Sequence, residues 1–130
     1  MKYTFTFRKR FAEEFDNLDK SQEDAILGFL VIYEDYGLVN LSKYKGKISH
    51  SWASKGIPKV DFRYAKNNSL WHAHVGLPYY RKSSRGNYLT SDIILHFQWI
   101  GKGTHIQIVK LTPHYHSNGR FQLPDHTYLK

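Results

Sequence analysis

The chain has 130 residues, 41% hydrophobic and 16% aromatic, and this length predicts one globular domain spanning residues 1–130. It contains no cysteine, so neither disulfides nor thiolate metal sites can stabilise it. The first residues lack the apolar run of a signal peptide, and no stretch is long enough to span a membrane. We therefore expect a soluble cytoplasmic protein with no membrane partner.

The net charge of +8 is distributed unevenly along the chain. Residues 1–36 carry a net charge of −3, whereas the residues from Gly37 onward carry +11. Such segregation favours a polyanion-binding half, and nucleic acid is the commonest polyanionic partner. The alternative is a basic surface that serves only solubility.

The N-terminal segment predicts a strand followed by a helix. Residues 3–7 alternate apolar and polar side chains, the period of a half-buried strand. Phe11, Phe15 and Leu18 then recur at i, i+4 and i+7, which places them on one face of a first helix.

A second helix follows directly. Ser21 and Asp24 have the spacing of a capping box at its start, and Gly37 is a good residue to end it. One apolar stripe predicts its buried face: Ile26, Phe29, Leu30 and Tyr33.

Residues 40–69 are basic, are interrupted by glycine and proline, and predict no clear element. Strand patterns return at 70–76, 93–100 and 104–111, the last two joined by a tight turn at 101–103. The order predicts an α+β fold in which two N-terminal helices pack on a small antiparallel sheet.

Histidines mark the predicted sheet. Alternation along the strand at 70–76 places His72 and His74 together on one face. We expect several neighbours to converge there, and we interpret the lone His50, His105 and His126 as structural or surface residues. The candidate catalytic residues are His72, His74, His96, His114, Tyr115 and His116.

This residue set suits metal-free cleavage of RNA. Attack by the 2′-hydroxyl needs a base, an acid for the leaving 5′ oxygen, and positive charge beside the phosphate. Histidine can serve as acid or base near neutrality, and arginine and lysine supply the charge. We expect no cofactor. A metal site is the rival use of the His-x-His pair, with Asp92 or His96 as a third ligand, but the carboxylates typical of metal-dependent nucleases are scarce here.

The polar loop at 77–89 interleaves aromatic and basic side chains, a composition typical of base stacking beside backbone contacts. An ordinary solvated loop is the alternative. Its candidate RNA-binding residues are Tyr79, Tyr80, Arg81, Lys82 and Arg85.

The second half resembles the RelE/YoeB-type toxins of toxin–antitoxin systems, and most closely their YafO branch. The resemblance rests on four segments of this sequence: His72-Ala73-His74, Thr90-Ser91-Asp92, Ile93-Ile94-Leu95-His96-Phe97 and Ile108-Val109-Lys110-Leu111-Thr112-Pro113-His114. It covers the whole domain in outline and about half of it in recognisable residues.

The resemblance implies a function and partners. His72 and His74 fall where RelE has a catalytic Lys-x-Lys pair, and His114-Tyr115 resembles the His-Tyr that closes YoeB. It implies cleavage of mRNA in the ribosomal decoding site and neutralisation by a cognate antitoxin protein. The family's arginine early in the penultimate strand is replaced by Ile94. The charge would have to come from elsewhere, and the candidates are Arg81, Arg85 and Arg120.

Two other functions remain open at this point. A ParE-like toxin of the same superfold inhibits DNA gyrase by binding and lacks nuclease activity, and the clustered histidines argue against it. A plain RNA- or ribosome-binding module is the second alternative.

Overall fold

The computed structural model describes residues 2–53, 56–83, 86 and 88–130. These residues form three α-helices, a five-stranded sheet in the order β1-β7-β6-β3-β2, and a separate two-stranded ribbon, β4-β5. The elements are β1 (Thr4–Phe7), α1 (Lys9–Phe15), α2 (Lys20–Tyr36), β2 (Ile48–His50), α3 (Lys59–Asn67), β3 (Leu70–Leu77), β4 (Arg81–Lys82), β5 (Leu89–Thr90), β6 (Ile93–Gln98) and β7 (His105–Pro113), with 3₁₀ turns at Leu41–Lys43, Ile100–Lys102 and His126–Leu129. The α+β prediction is confirmed.

The sheet is mostly, but not wholly, antiparallel. β2, β3, β6 and β7 pair antiparallel as predicted, whereas β1 runs parallel to β7, with Thr4 opposite His105. The all-antiparallel prediction is wrong at this edge. The physical reason is that nearly the whole chain separates β1 from β7, so no hairpin turn forces them to run in opposite directions.

The second helix starts with a different cap from the predicted one. The Asp19 carboxylate accepts the Gln22 backbone N–H at 2.9 Å, and the Gln22 side chain accepts the Asp19 backbone N–H at 3.1 Å. The capping box is therefore Asp19–Gln22 rather than Ser21–Asp24, because the Ser21 hydroxyl donates to Asp19 instead. The helix ends at Gly37 as predicted, with a positive φ of 63° that glycine adopts readily.

The apolar stripe of α2 packs on one face of the sheet. Phe29 lies with its ring 5.6 Å from that of Phe97 on β6. The Tyr33 hydroxyl donates to the Thr104 carbonyl at 2.9 Å, which fastens the end of the helix to the start of β7. The stripe residues Ile26, Phe29, Leu30 and Tyr33 are all buried, as predicted.

The first helix lies at the β1–β7 edge. Phe11 stacks on Phe7 of β1 at 5.8 Å, and the Tyr128 hydroxyl donates to the Glu14 carboxylate at 2.6 Å. α1 ends at Phe15, so Leu18 packs against the core from the turn that follows rather than from the helix.

Two segments contain elements that the sequence pattern did not indicate. Residues 40–69 contain β2 and α3, and the predicted loop at 77–89 contains β4 and the first residue of β5. α3 is fastened by the Tyr64 hydroxyl, which donates to the Pro124 carbonyl at 2.7 Å. Among the described residues, no helix has the length and apolar character needed to cross a bilayer.

Candidate active site

The sheet face opposite α2 carries a cluster of histidines. His72 and His74 point to this face because successive side chains of a strand alternate. His96 of β6 sits directly opposite His72 in the antiparallel pairing, and directly opposed residues point to the same side. We call this surface the histidine face, defined by His72, His74 and His96.

His114 reaches the cluster from the end of β7. Its backbone N–H donates to the Asp92 carbonyl at 2.7 Å, which holds the chain beside β6 as it leaves the sheet. Its ring centroid lies 4.8 Å from that of His74 and 5.7 Å from that of His72. Phe121 is buried beside them, with its ring 5.0 Å from His72.

Hydrogen bonds orient two of the imidazoles. His72 has Nδ1 at 2.9 Å from the Ser51 hydroxyl and Nε2 at 3.2 Å from the Ser49 hydroxyl. His74 has Nδ1 at 3.0 Å from the carbonyl oxygen and 2.9 Å from the amide nitrogen of Ser91. His114 makes ring contacts but no side-chain hydrogen bond among the described residues, so its nitrogens are available to a bound molecule.

Burial shifts the acid–base behaviour of the cluster. It lowers the pKa of His72 well below the usual range, and the nearby histidines and Lys47 lower it further. Burial also lowers the pKa of His74, although the hydrogen bond to Ser91 opposes this shift. The pKa of His114 falls to about 4 through burial, His74 and Lys47. These imidazoles are neutral near pH 7.

His96 lies beneath the others. Its side chain is fully buried, with Nε2 2.7 Å from the Thr112 hydroxyl, and burial lowers its pKa to about 3. Its Nδ1 is buried and has no hydrogen-bond partner among the described residues. His96 therefore supports the cluster from below and does not line the groove above it.

A wide groove of about 1190 Å³ opens over the histidine face. His72, His74 and His114 form part of its floor, while α3, the β4-β5 ribbon and the segment after β7 form its walls. Among the described residues, the charged side chains that line it are Lys47, Arg81, Lys82, Arg120, Asp61 and Asp92.

Of the three predicted arginines, Arg81 and Arg120 line the groove, and each is already paired with a carboxylate. Arg81 binds Asp92, and Arg120 binds Asp61 through Nε at 2.9 Å and Nη2 at 2.6 Å. A phosphate that approached either guanidinium would have to compete with its carboxylate.

Lys47 is a groove lysine whose charge acts on all three groove histidines, and the sequence analysis did not identify it. Its positive charge contributes to the lowered pKa of His72, His74 and His114. Its backbone carbonyl accepts the His74 N–H at 2.9 Å, and its ammonium lies 4.2 Å from the centre of the Tyr88 ring. Lys47 and Lys82 make no ion pair among the described residues. The sequence held no signal for Lys47, because the segment that leads into β2 carries no recognisable pattern.

Some predicted residues lie at or beyond the margin of the groove. Tyr115 lines it, with its ring 4.1 Å from that of His114. His116 is exposed on the turn that follows and does not line the groove. Tyr79 is exposed elsewhere, and Tyr80 packs beside a smaller pocket under α2. Arg85 lies outside the described residues.

The three groove histidines also form a set of potential metal ligands. One nitrogen of each of His72, His74 and His114 lies within 4.8 Å of the others. None of the groove carboxylates belongs to this set.

Neither a protein-family model nor a curated protein matches the sequence. Among solved structures, the chain is similar to one in the crystal structure of the archaeal RelE–RelB complex from Pyrococcus horikoshii OT3. The two share 20% sequence identity with a TM-score of 0.46, and the match covers 87% of this chain and 96% of that one.

Proposed function

We propose that the protein is a cytoplasmic endoribonuclease toxin of the RelE type, formed by residues 1–130 as one domain, that cleaves mRNA on the ribosome. The proposal rests mainly on one observation: His74 and His114 lie side by side on the floor of a wide groove, with their ring centroids 4.8 Å apart. The unpaired lysines of that groove add the positive charge that RNA binding needs.

The reaction requires two proton transfers and no redox step. The 2′ oxygen attacks phosphorus while a neutral imidazole accepts its proton. The bond from phosphorus to the 5′ oxygen breaks, and a protonated imidazole gives that oxygen a proton. The products are a 2′,3′-cyclic phosphate and a 5′-hydroxyl end.

His74 and His114 suit the two transfers because both line the groove and His114 has unbonded nitrogens. His72 has both nitrogens close to serine hydroxyls, so its role is to position its neighbours. A bound phosphodiester carries negative charge, which favours the protonated form of the histidine beside it. The histidine that becomes protonated when RNA binds is the general acid, which is absent from the free protein because its groove histidines are neutral.

Phosphate charge is balanced by Lys47, in place of the arginine expected from the toxin family. Lys47 lines the groove, and its ammonium lies 4.2 Å from the centre of the Tyr88 ring. Tyr115, 55% exposed and next to His114, offers a ring on which a base can stack.

The segregated charge also fits a protein partner. The groove belongs to the basic part of the chain, whereas the acidic residues lie mainly on α1 and α2. An antitoxin that laid an acidic segment across the groove would compete with RNA for the same cations.

The test is cleavage of a translated mRNA by the purified protein, with product ends identified chemically. We expect 2′,3′-cyclic phosphate and 5′-hydroxyl ends from the wild type and from His126→Ala, an exposed histidine outside the groove. His114→Ala should form no such ends. Equal cleavage by His114→Ala and the wild type would refute the proposal.

A further inference from the structure

We propose that His72, His74 and His114 form a binding site for one divalent ion of the zinc class, and that the bound ion inhibits the protein. The bound ion takes no part in the metal-free chemistry above and would block it, because it would occupy nitrogens of His74 and His114, the two residues that transfer protons. The inhibitory consequence rests on the proposed function, whereas the binding site does not.

A tetrahedral zinc site has four ligands, and His72, His74 and His114 can provide three of them. Zinc binds imidazole nitrogen at about 2.0–2.1 Å in tetrahedral sites, so ligand nitrogens stand about 3.4 Å apart. The candidate nitrogens lie within 4.8 Å of one another, so a pair at that limit must close by about 1.4 Å. His114 can shift toward the other two histidines because it is half-buried and lies just beyond the end of β7. The fourth position opens into the groove.

The hydrogen-bond partners of His72 and His74 can fix their rings in the way that metal-binding histidines are usually fixed. A ligating imidazole typically gives its second nitrogen to a carbonyl, carboxylate or other oxygen, which fixes the ring. His74 can donate from Nδ1 to the Ser91 carbonyl at 3.0 Å in the tautomer that gives up the hydrogen bond from the Ser91 backbone N–H to the same nitrogen. His72 can donate from Nδ1 to the Ser51 hydroxyl at 2.9 Å. Both arrangements leave Nε2 for the ion, once the 3.2 Å contact of His72 with Ser49 is given up.

The ligand type selects the ion. Three imidazoles without a carboxylate suit zinc, copper, nickel and cobalt, whereas magnesium and calcium need oxygen ligands. The chain has no cysteine, so thiolates cannot compete for the ion.

Lys47 opposes a cation at this site. Its positive charge acts on all three histidines and therefore repels a dication as well. Replacing it with methionine keeps most of the side-chain length and removes the charge. Lys47→Met should therefore strengthen metal binding and weaken RNA cleavage, two opposite effects that a general loss of structure cannot produce together.

Binding is tested by titrating the full-length, tag-free protein with Co²⁺ and Zn²⁺. We expect one ion per chain, the visible absorption of tetrahedral cobalt, and imidazole ¹⁵N shifts of His72, His74 and His114 in the wild type. His114→Ala should lose at least tenfold in affinity, and His126→Ala should bind like the wild type. Absence of 1:1 binding, or unchanged affinity in His114→Ala, would overturn the site.

Measuring RNA cleavage with and without Zn²⁺ distinguishes a failure of this inference from a failure of the proposed function. We expect stoichiometric Zn²⁺ to inhibit cleavage and a chelator to restore it. Cleavage that requires Zn²⁺ would overturn the inhibition and the metal-free mechanism but leave the site standing. A protein that binds Zn²⁺ and never cleaves RNA would refute the proposed function alone.

Discussion

The imidazoles of His74 and His114 meet nearly edge to face, with ring centroids 4.8 Å apart and planes inclined by 76°. One ring comes from the middle of β3 and the other from the residue that follows β7. Because both line the same groove, one phosphodiester can contact both rings at once. This pairing makes the groove a candidate for proton-transfer chemistry and not only for binding.

Removing either ring should abolish efficient cleavage. We expect His74→Ala and His114→Ala to lower the cleavage rate about 10²–10⁴-fold, the usual contribution of a general acid or base. The measurement is a single-turnover rate on ribosome-bound mRNA, with folding checked by circular dichroism. His126→Ala serves as the matched control. A loss of less than tenfold in both folded variants would remove these residues from the mechanism.

Chelation should leave the cleavage step intact. The proposed chemistry needs imidazoles and a lysine, and no ion takes part in it. We expect the protein, dialysed against a chelator and then added to translating ribosomes in magnesium buffer, to cleave mRNA at the same rate as the untreated, zinc-free protein. The chelator is removed before the assay because ribosomes themselves need magnesium. Loss of activity that zinc or manganese restored would contradict this prediction.

RNA binding should depend on salt through the groove lysines. Each phosphate contact to single-stranded RNA contributes about 0.7 to the slope of log affinity against log salt. We expect Lys47→Met and Lys82→Met each to lower that slope by about this amount, measured by fluorescence anisotropy. Lys9→Met, on α1 and away from the groove, is the matched control. Equal slopes in all four proteins would show that the groove charge does not bind RNA.

Stability should fall as the pH drops below about 6.5. Unfolded histidines take up protons near that pH, whereas burial lowers the folded-state pKa of His96 to about 3. Between those two values the unfolded state binds the additional proton, so each such histidine reduces the free energy of unfolding by up to about 1.4 kcal/mol per pH unit. The measurement is urea unfolding from pH 7.5 to 4.5.

The variant His96→Leu isolates this contribution. It removes the buried Nδ1 that has no partner among the described residues, while Thr112 keeps its hydrogen bond to the Pro113 carbonyl. We expect stability at neutral pH to be unchanged or higher and its pH dependence to be shallower. A pH dependence as steep as that of the wild type would contradict the assignment of His96 as a buried neutral ring.

The local elements with strong periodicity could be predicted from the sequence. The stripe of α2 and its end at Gly37 follow from helical spacing and from glycine's tolerance of positive φ, and both are confirmed. The common face of His72 and His74 follows from strand alternation. Neither conclusion needed a contact distant in the chain, because each depends on residues a few positions apart.

Only the tertiary structure decided the composition of the groove. The position of Lys47 beside His74 and the ion pairs of Arg81 with Asp92 and of Arg120 with Asp61 join residues from different elements or loops. A single sequence carries no periodic signal for such contacts. Burial likewise depends on the assembled layers, so the sequence indicated histidines able to titrate, whereas the fold makes them neutral at pH 7.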